Sequence, residues 1–241
     1  MARKVTLIAA LGTLSARAAK TSTGTIPIVF STSSDPVEMG FVASLDRPGG
    51  NMTGATQLNL ELGPKRLSLM HELLPKATRI GLLANPKGST AAVQAESLKA
   101  AASALGITVR VLPASDQPQL EEVFASLRQN KIEALVVGSD AFFNDHSRQL
   151  AILASAQRLP AIYQYPDFTD AGGLMSFGGN LVETYRIAGA YSARILKGEK
   201  PANLAVQQAT KVDLILNLKT ARAFGLDIPL TFLARADEVI E

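Results

Sequence analysis

Small hydrogen-bonding side chains gather where the apolar runs of this sequence stop. The run at 26–30 gives way to Ser31-Thr32-Ser33-Ser34-Asp35-Pro36, and the run at 161–163 to Gln164-Tyr165-Pro166-Asp167. The run at 80–84 ends in Asn85-Pro86-Lys87-Gly88-Ser89, that at 134–137 in Gly138-Ser139-Asp140, and that at 5–10 just before a turn at Gly12-Thr13. Hydroxyls, carboxamides and isolated carboxylates suit reversible capture of a small polar molecule. Each makes one or a few directed hydrogen bonds, and a hydroxyl is a weak nucleophile without an adjacent base. Thr13, Ser33, Ser34, Asp35, Asn85, Ser139, Asp140, Tyr163 and Tyr165 are therefore the candidate ligand-binding residues. Each has a structural alternative. Thr13, Asp35, Ser89 and Asp140 stand where a side chain caps the next helix or turn. Tyr163 and Tyr165, two apart and so on one side of a strand end, either wall a pocket or fill the core at the sheet margin.

Covalent chemistry is poorly provided for. Ser139, Asp140 and His146 supply the residue types of a hydrolytic triad, but triad members are positioned by separate elements. No Gly-x-Ser-x-Gly elbow is present. There is no cysteine, which excludes disulfides and thiolate chemistry. The histidines are His71 and His146 alone, too few for a multi-histidine metal site. "LGTLSA" lacks the spacing of a dinucleotide loop and "NPKGST" is not a Walker sequence. Neither a cofactor, a metal nor an enzymatic activity is expected.

The elements that must position the polar loops alternate. Strand-like runs lie at 5–10, 26–30, 80–84, 108–112, 134–137 and 161–163, with helical periodicity at 14–20, 60–74, 90–105, 119–129, 146–158 and 181–196. Near-continuous apolar strands between amphipathic helices imply a parallel α/β sheet covered on both faces. In such sheets ligands sit beyond the carboxyl ends of the strands, where the polar loops fall. The order strand, Gly-Thr turn, helix, Ile-Pro, strand, polar loop near the N-terminus is echoed from residue 133 with a Gly-Ser turn and Leu-Pro. The echo suggests two similar lobes. The Gly-rich stretches "RPGGNMTG" and "AGGLMSFGGN" bracket the block between them, and Gly49, Gly50, Gly178 and Gly179 are hinge candidates.

The chain has 241 residues, 47% hydrophobic and 19% charged, enough for one large or two small cores. A net charge of +3 is no argument for nucleic acid. No apolar run approaches the roughly 20 residues that span a bilayer. The N-terminus reads two ways: a basic start at 1–4 with an apolar run as a secretory signal, or strand, turn and helix.

The blocks "IPIVFSTSSDPV", "GFVASLDRPGGNMTG", "KRLSLMHELLPKATRIGLLANP", "LPAIYQYPDF", "GGLMSFGGN" and "NLKTARAFGL" occur in one order across nearly the whole chain. Together they resemble the ABC-transporter solute-binding proteins of the tryptophan/tyrosine-binding type. The resemblance implies a type I periplasmic-binding fold, two Rossmann-like lobes joined by three crossovers that close on a ligand in the interlobe cleft. Residues 1–51 with 179–210 would form lobe one and 52–178 lobe two, with 211–241 assigned to neither. It further implies a small amphipathic ligand, an amino acid, with ABC permease subunits as partners and a periplasmic or extracytoplasmic location. Alignment of Gly12-Thr13 with the family's Gly-Thr turn favours strand–turn–helix over a signal peptide. A strand–helix–strand–helix unit that precedes this strand in the family has no counterpart, so lobe one is expected to be incomplete, with an exposed sheet edge that lowers stability or promotes self-association. The competing function is a ligand-sensing regulatory core without a DNA-binding domain.

Overall fold

The computed structural model of the chain describes residues 5–57, 59–209 and 211–241. The basic start proposed at 1–4 lies outside them. In chain order the elements are β1 (Ile8–Leu11), α1 (Thr13–Ser22), β2 (Ile28–Thr32), β3 (Met52–Thr56), α2 (Gly63–Leu73), β4 (Arg79–Ala84), α3 (Ala91–Leu105), β5 (Thr108–Pro113), α4 (Gln117–Ser126) and β6 (Ala134–Val137). They continue with α5 (Ala141–Asp145), α6 (Ser147–Ala156), β7 (Ala161–Tyr163), α7 (Pro166–Asp170), β8 (Met175–Gly179), α8 (Leu181–Leu196), β9 (Gln207–Gln208), β10 (Val212–Asn217), α9 (Leu218–Phe224), α10 (Leu230–Leu233) and β11 (Glu238–Ile240).

The chain divides into two units, Met1–Asn59 with Gly179–Lys211 and Leu60–Gly178 with Val212–Glu241, and so passes between them three times. The first unit holds a four-stranded sheet in the order β1-β2-β3-β9, all pairs parallel. Its strand β2 is buried on both faces, as a central parallel strand must be. Ile28 and Phe30 pack with Ala16, Ala19 and Phe41 on the α1 side, while Val29 packs with Ile187, Ala188 and Tyr191 of α8 on the other. Strand β1 pairs only with β2 among the described residues, and its last residue Leu11 and Leu14 in α1 are exposed.

The second unit holds a seven-stranded sheet in the order β11-β10-β8-β7-β6-β4-β5. One large core cluster joins Leu67, Met70 and Leu73 of α2 with Ile80, Leu82, Val136, Ile162, Met175 and Leu216 of the strands. At the amino ends of β4 and β6 the exposed Glu133 carboxylate accepts from the Thr78 and Arg79 backbone N–H groups at 2.8 and 2.9 Å. The Thr78 backbone bond is the main reason its pKa lies below the usual carboxylate value of 4.5. A depressed carboxylate adds stability above its unfolded pKa and loses it as pH falls through the folded one. The stability difference between wild type and Glu133→Gln is therefore expected at neutral pH and should shrink as the pH falls below 4.5 and through the folded pKa, which paired urea titrations at several pH values would check.

The structure departs from the sequence-based division in two places. β3 lies between β2 and β9 in the first sheet, so the first unit runs past 51 and the chain leaves it after Asn59. The segment 211–241, left unassigned by pattern, supplies β10 and β11 to the second sheet and so belongs with the second unit. Gly49 and Gly50 consequently sit inside the first unit, where Gly49, at φ +76°, turns the chain toward β3. A hinge there would tear a paired strand from its sheet, so these two glycines are turn residues. Gly178 and Gly179 do stand where the chain returns, as the last residues of β8.

Candidate ligand-binding site

In the second sheet the strand order reverses between β4 and β6, because β5 follows on one side of β4 and β6 on the other. The crevice beyond the carboxyl ends of such a pair is the usual place for a ligand in an open α/β sheet. Three candidates meet there. Asn85 Nδ2 donates to Asp140 Oδ1 at 2.9 Å, joining the loop after β4 to the loop after β6. Asp140 Oδ1 also accepts from the Phe142 N–H at 2.9 Å, so Asp140 caps α5 as well. Ser139, buried beside it, accepts at Oγ from Arg66 Nη2 at 3.2 Å.

Two partners in this cluster carry no strand-end signature. Gln94 of α3 clasps the Ser139 backbone, accepting from its N–H at 2.6 Å and donating to its carbonyl at 3.1 Å. Arg66 of α2 is 1% exposed and also donates to the Phe177 carbonyl at 3.1 Å. Burial lowers its pKa to about 10, opposed by the nearby Tyr165 phenol, so the guanidinium stays charged at neutral pH. A fixed positive charge thus lies beside the Ser139 hydroxyl and the Phe177 carbonyl at this end of the sheet.

The tyrosines separate. Tyr163 is in the unit's core, its ring stacked on Phe168 at 4.5 Å, with its phenol pushed up in pKa by burial and no partner for its hydroxyl among the described residues. That burial matches the core alternative. Tyr165 lies at the N-cap of α7, with Gln164 before it donating from Nε2 to Asn144 Oδ1 at 2.6 Å. The triad types do not assemble. Ser139 Oγ engages Arg66, Asp140 engages Asn85 and Phe142, and His146 Nδ1 lies 2.8 Å from the Phe142 carbonyl.

The first unit gathers hydroxyls at the carboxyl ends of three adjacent strands. Thr13 Oγ1 and Thr32 Oγ1 are 2.9 Å apart, Thr32 Oγ1 accepts from the Ser34 N–H at 3.1 Å, and Thr56 Oγ1 donates to the Ser34 carbonyl at 3.1 Å. Ser34 is 8% exposed and its hydroxyl has no partner among the described residues. Ser33 beside it is half-buried. Asp35 takes the capping alternative, its Oδ1 accepting from the Val37 and Glu38 N–H groups at 2.7 and 3.3 Å. Thr32 and Thr56, which sequence reasoning passed over, complete the cluster. Both are polar residues at the last position of a buried strand.

The sequence profile of the ABC transporter substrate-binding proteins matches residues 1–240. The chain belongs to that family. A curated relative, the Tyrosine-binding protein of Clostridioides difficile (strain R20291), is 29% identical over 224 residues, covering 92% of this chain and 64% of its own length. The chain thus spans under two thirds of that relative. Among solved structures, a conserved domain protein from Vibrio cholerae is 27% identical with a TM-score of 0.85, covering 98% of this chain and 79% of its own. An ABC domain from Streptococcus pneumonia in complex with L-Trp has a TM-score of 0.85 at 24% identity, covering 99% of this chain and 82% of its own, and at that identity it shows the fold. As a substrate-binding protein with parallel α/β sheets of the type I periplasmic-binding kind, this family member has a binding site to explain. No helix among the described residues is long and apolar enough to cross a membrane.

Proposed function

We propose that this chain is the extracytoplasmic solute-binding component of an ABC importer and takes a small amphipathic amino acid, with L-tyrosine and L-tryptophan the first candidates. The observation that carries the reading is the hydroxyl cluster of Thr13, Thr32, Ser34 and Thr56, which keeps one buried hydroxyl uncommitted at the carboxyl end of a parallel sheet. A buried hydroxyl without a partner is costly unless something else satisfies it, and a ligand carboxylate would do so. In the second unit Ser139 and the Asn85–Asp140 pair offer neutral and acidic acceptors at the reversal of strand order. The name of the C. difficile relative supports an aromatic amino acid, and the L-Trp complex is compatible with it at the level of fold. The polar loops of this chain then act as binding groups and none as a catalyst, and ABC permease subunits receive the loaded protein.

Isothermal titration with L-tyrosine, L-tryptophan, L-alanine and D-arabinose tests the proposal. Binding of an aromatic amino acid, weakened about tenfold in Ser34→Ala by loss of one hydrogen bond to a charged group, is the expected outcome. Binding of the sugar alone, or an aromatic ligand indifferent to Ser34, would overturn the assignment.

A further inference from the structure

The place where the chain first leaves the first unit and the place where it re-enters are fastened to each other by side chains. Asn59, 0% exposed, accepts at Oδ1 from the Gly179 N–H at 3.0 Å and donates from Nδ2 to Gln57 Oε1 at 3.1 Å. Gln57 Nε2 donates in turn to the Asn180 carbonyl at 3.2 Å and to Thr184 Oγ1. Thr184 Oγ1 also donates to the Asn180 carbonyl at 3.2 Å, and Asn180 Oδ1 accepts from the Glu183 N–H at 3.1 Å, closing the N-terminus of α8. The outgoing segment, the returning segment and a helix end therefore share one buried network of neutral amides and hydroxyls. Such networks are rigid when satisfied, and each member is costly to strand.

From this geometry we infer that Asn59 is a positioning residue for ligand-driven closure: it locks the outgoing and returning crossings together so that they turn as one piece. In these two of the three crossings any bending must then be taken up beyond the lock, after Asn59 and before Gly179. Glycine freedom at 179 has no part in it. Gly179 is an extended strand residue with its N–H already committed, and a Cβ there would meet Gln57 and Asn59 only at ordinary contact distances of 3.4 to 3.7 Å. Without the lock the two crossings sample more conformations in the empty protein, and binding must restrict all of them, which weakens affinity without touching the ligand. Among the described residues these bonds involve no titratable side chain, so they do not change across neutral pH. The closure part of the inference rests on the ligand-binding reading above. The lock itself does not.

Hydrogen exchange by mass spectrometry on the ligand-free full chain reads the lock directly. In Asn59→Ala the Gly179 amide should exchange at least about tenfold faster, as expected when a local opening loses its hydrogen bond, while the β4 amides keep their wild-type protection. Thr184→Val, which preserves shape and removes the anchor of Gln57, should give a smaller acceleration at the same peptide and serves if Asn59→Ala does not fold. Gly179→Ala should leave exchange in segments 55–62 and 177–185 unaltered apart from its own site. Unchanged exchange at Gly179 in both lock variants, or acceleration equal to that of β4, would overturn the lock. Titration with L-tyrosine then tests closure: affinity should fall about threefold to tenfold in Asn59→Ala and stay at the wild-type level in Gly179→Ala. Equal affinity in all three proteins would overturn the positioning role. Failure of the wild type to bind L-tyrosine would count against the proposed ligand and leave the exchange result standing.

Discussion

Gly54→Ala will prevent the first unit from folding while leaving the second intact. A Cβ at residue 54 would lie 1.9 Å from the Phe30 carbonyl oxygen and 2.8 Å from the Phe30 carbonyl carbon and amide nitrogen. All of these are backbone atoms of the neighbouring strand, so no side-chain rotation relieves the overlap. Phe30 and Gly54 are register partners at the centre of a parallel ladder, and β3 carries β9 on its other edge. Separating the strands enough to admit a methyl group would cost the ladder its hydrogen bonds. An effect above about 4 kcal/mol is exceptional for one substitution and is reserved for such mechanisms. It approaches the whole stability of a small domain. Hydrogen exchange should show β2 and β3 unprotected and β4 and β6 protected. Uniform protection in the variant would mean the strand approach is looser than described.

The same glycine explains why β3 was hard to see. "NMTGAT" sits in a Gly-rich context, and glycine weakens strand propensity because it has no side chain to pack. Here it is required because the neighbouring backbone comes so close. β9 is the two exposed residues Gln207 and Gln208, held by pairing with β3 and by no apolar pattern of their own. β10 runs into α9 without a turn residue, because Asn217 ends the strand and caps the helix, accepting at Oδ1 from the Thr220 N–H at 3.0 Å. The strands that were legible, β4, β6 and β7 among them, are apolar, β-branched and bounded by turn signals.

The candidate site divides along a similar line. Ser139, Asp140 and Asn85 stood out because each is polar and follows a buried strand, and the sheet brings them together. Tyr163 carried the same mark but stacks on Phe168 inside the unit, since strand alternation cannot say which face is the core. Gln94 and Arg66 are on helices, where polar residues are the rule. A signal for Arg66 existed in helix phase. It precedes Met70 by four residues and Leu73 by seven, on the face that packs into the core. Lys65, its neighbour, differs only in that phase.

Arg66 should consequently answer substitution in an order that chemical similarity would not predict, with wild type most stable, Arg66→Met next and Arg66→Lys last. The guanidinium serves acceptors in two directions, the Phe177 carbonyl at the end of β8 and Ser139 Oγ after β6. Methionine leaves those acceptors without a donor, at a cost of about 1–3 kcal/mol. It also removes the burden of a buried charge, which is what holds the arginine's pKa down. Lysine keeps that burden, and its point-like ammonium cannot reproduce the planar fork. A poorly matched buried charge costs about 3–5 kcal/mol. Urea midpoints of the three proteins decide the order, and a lysine variant more stable than the methionine one would show that charge matters at this position and geometry does not. Ser139 is one of Arg66's acceptors, so Arg66→Met should also loosen the loop after β6 and weaken L-tyrosine binding, by releasing a group that the strand reversal alone does not hold in place.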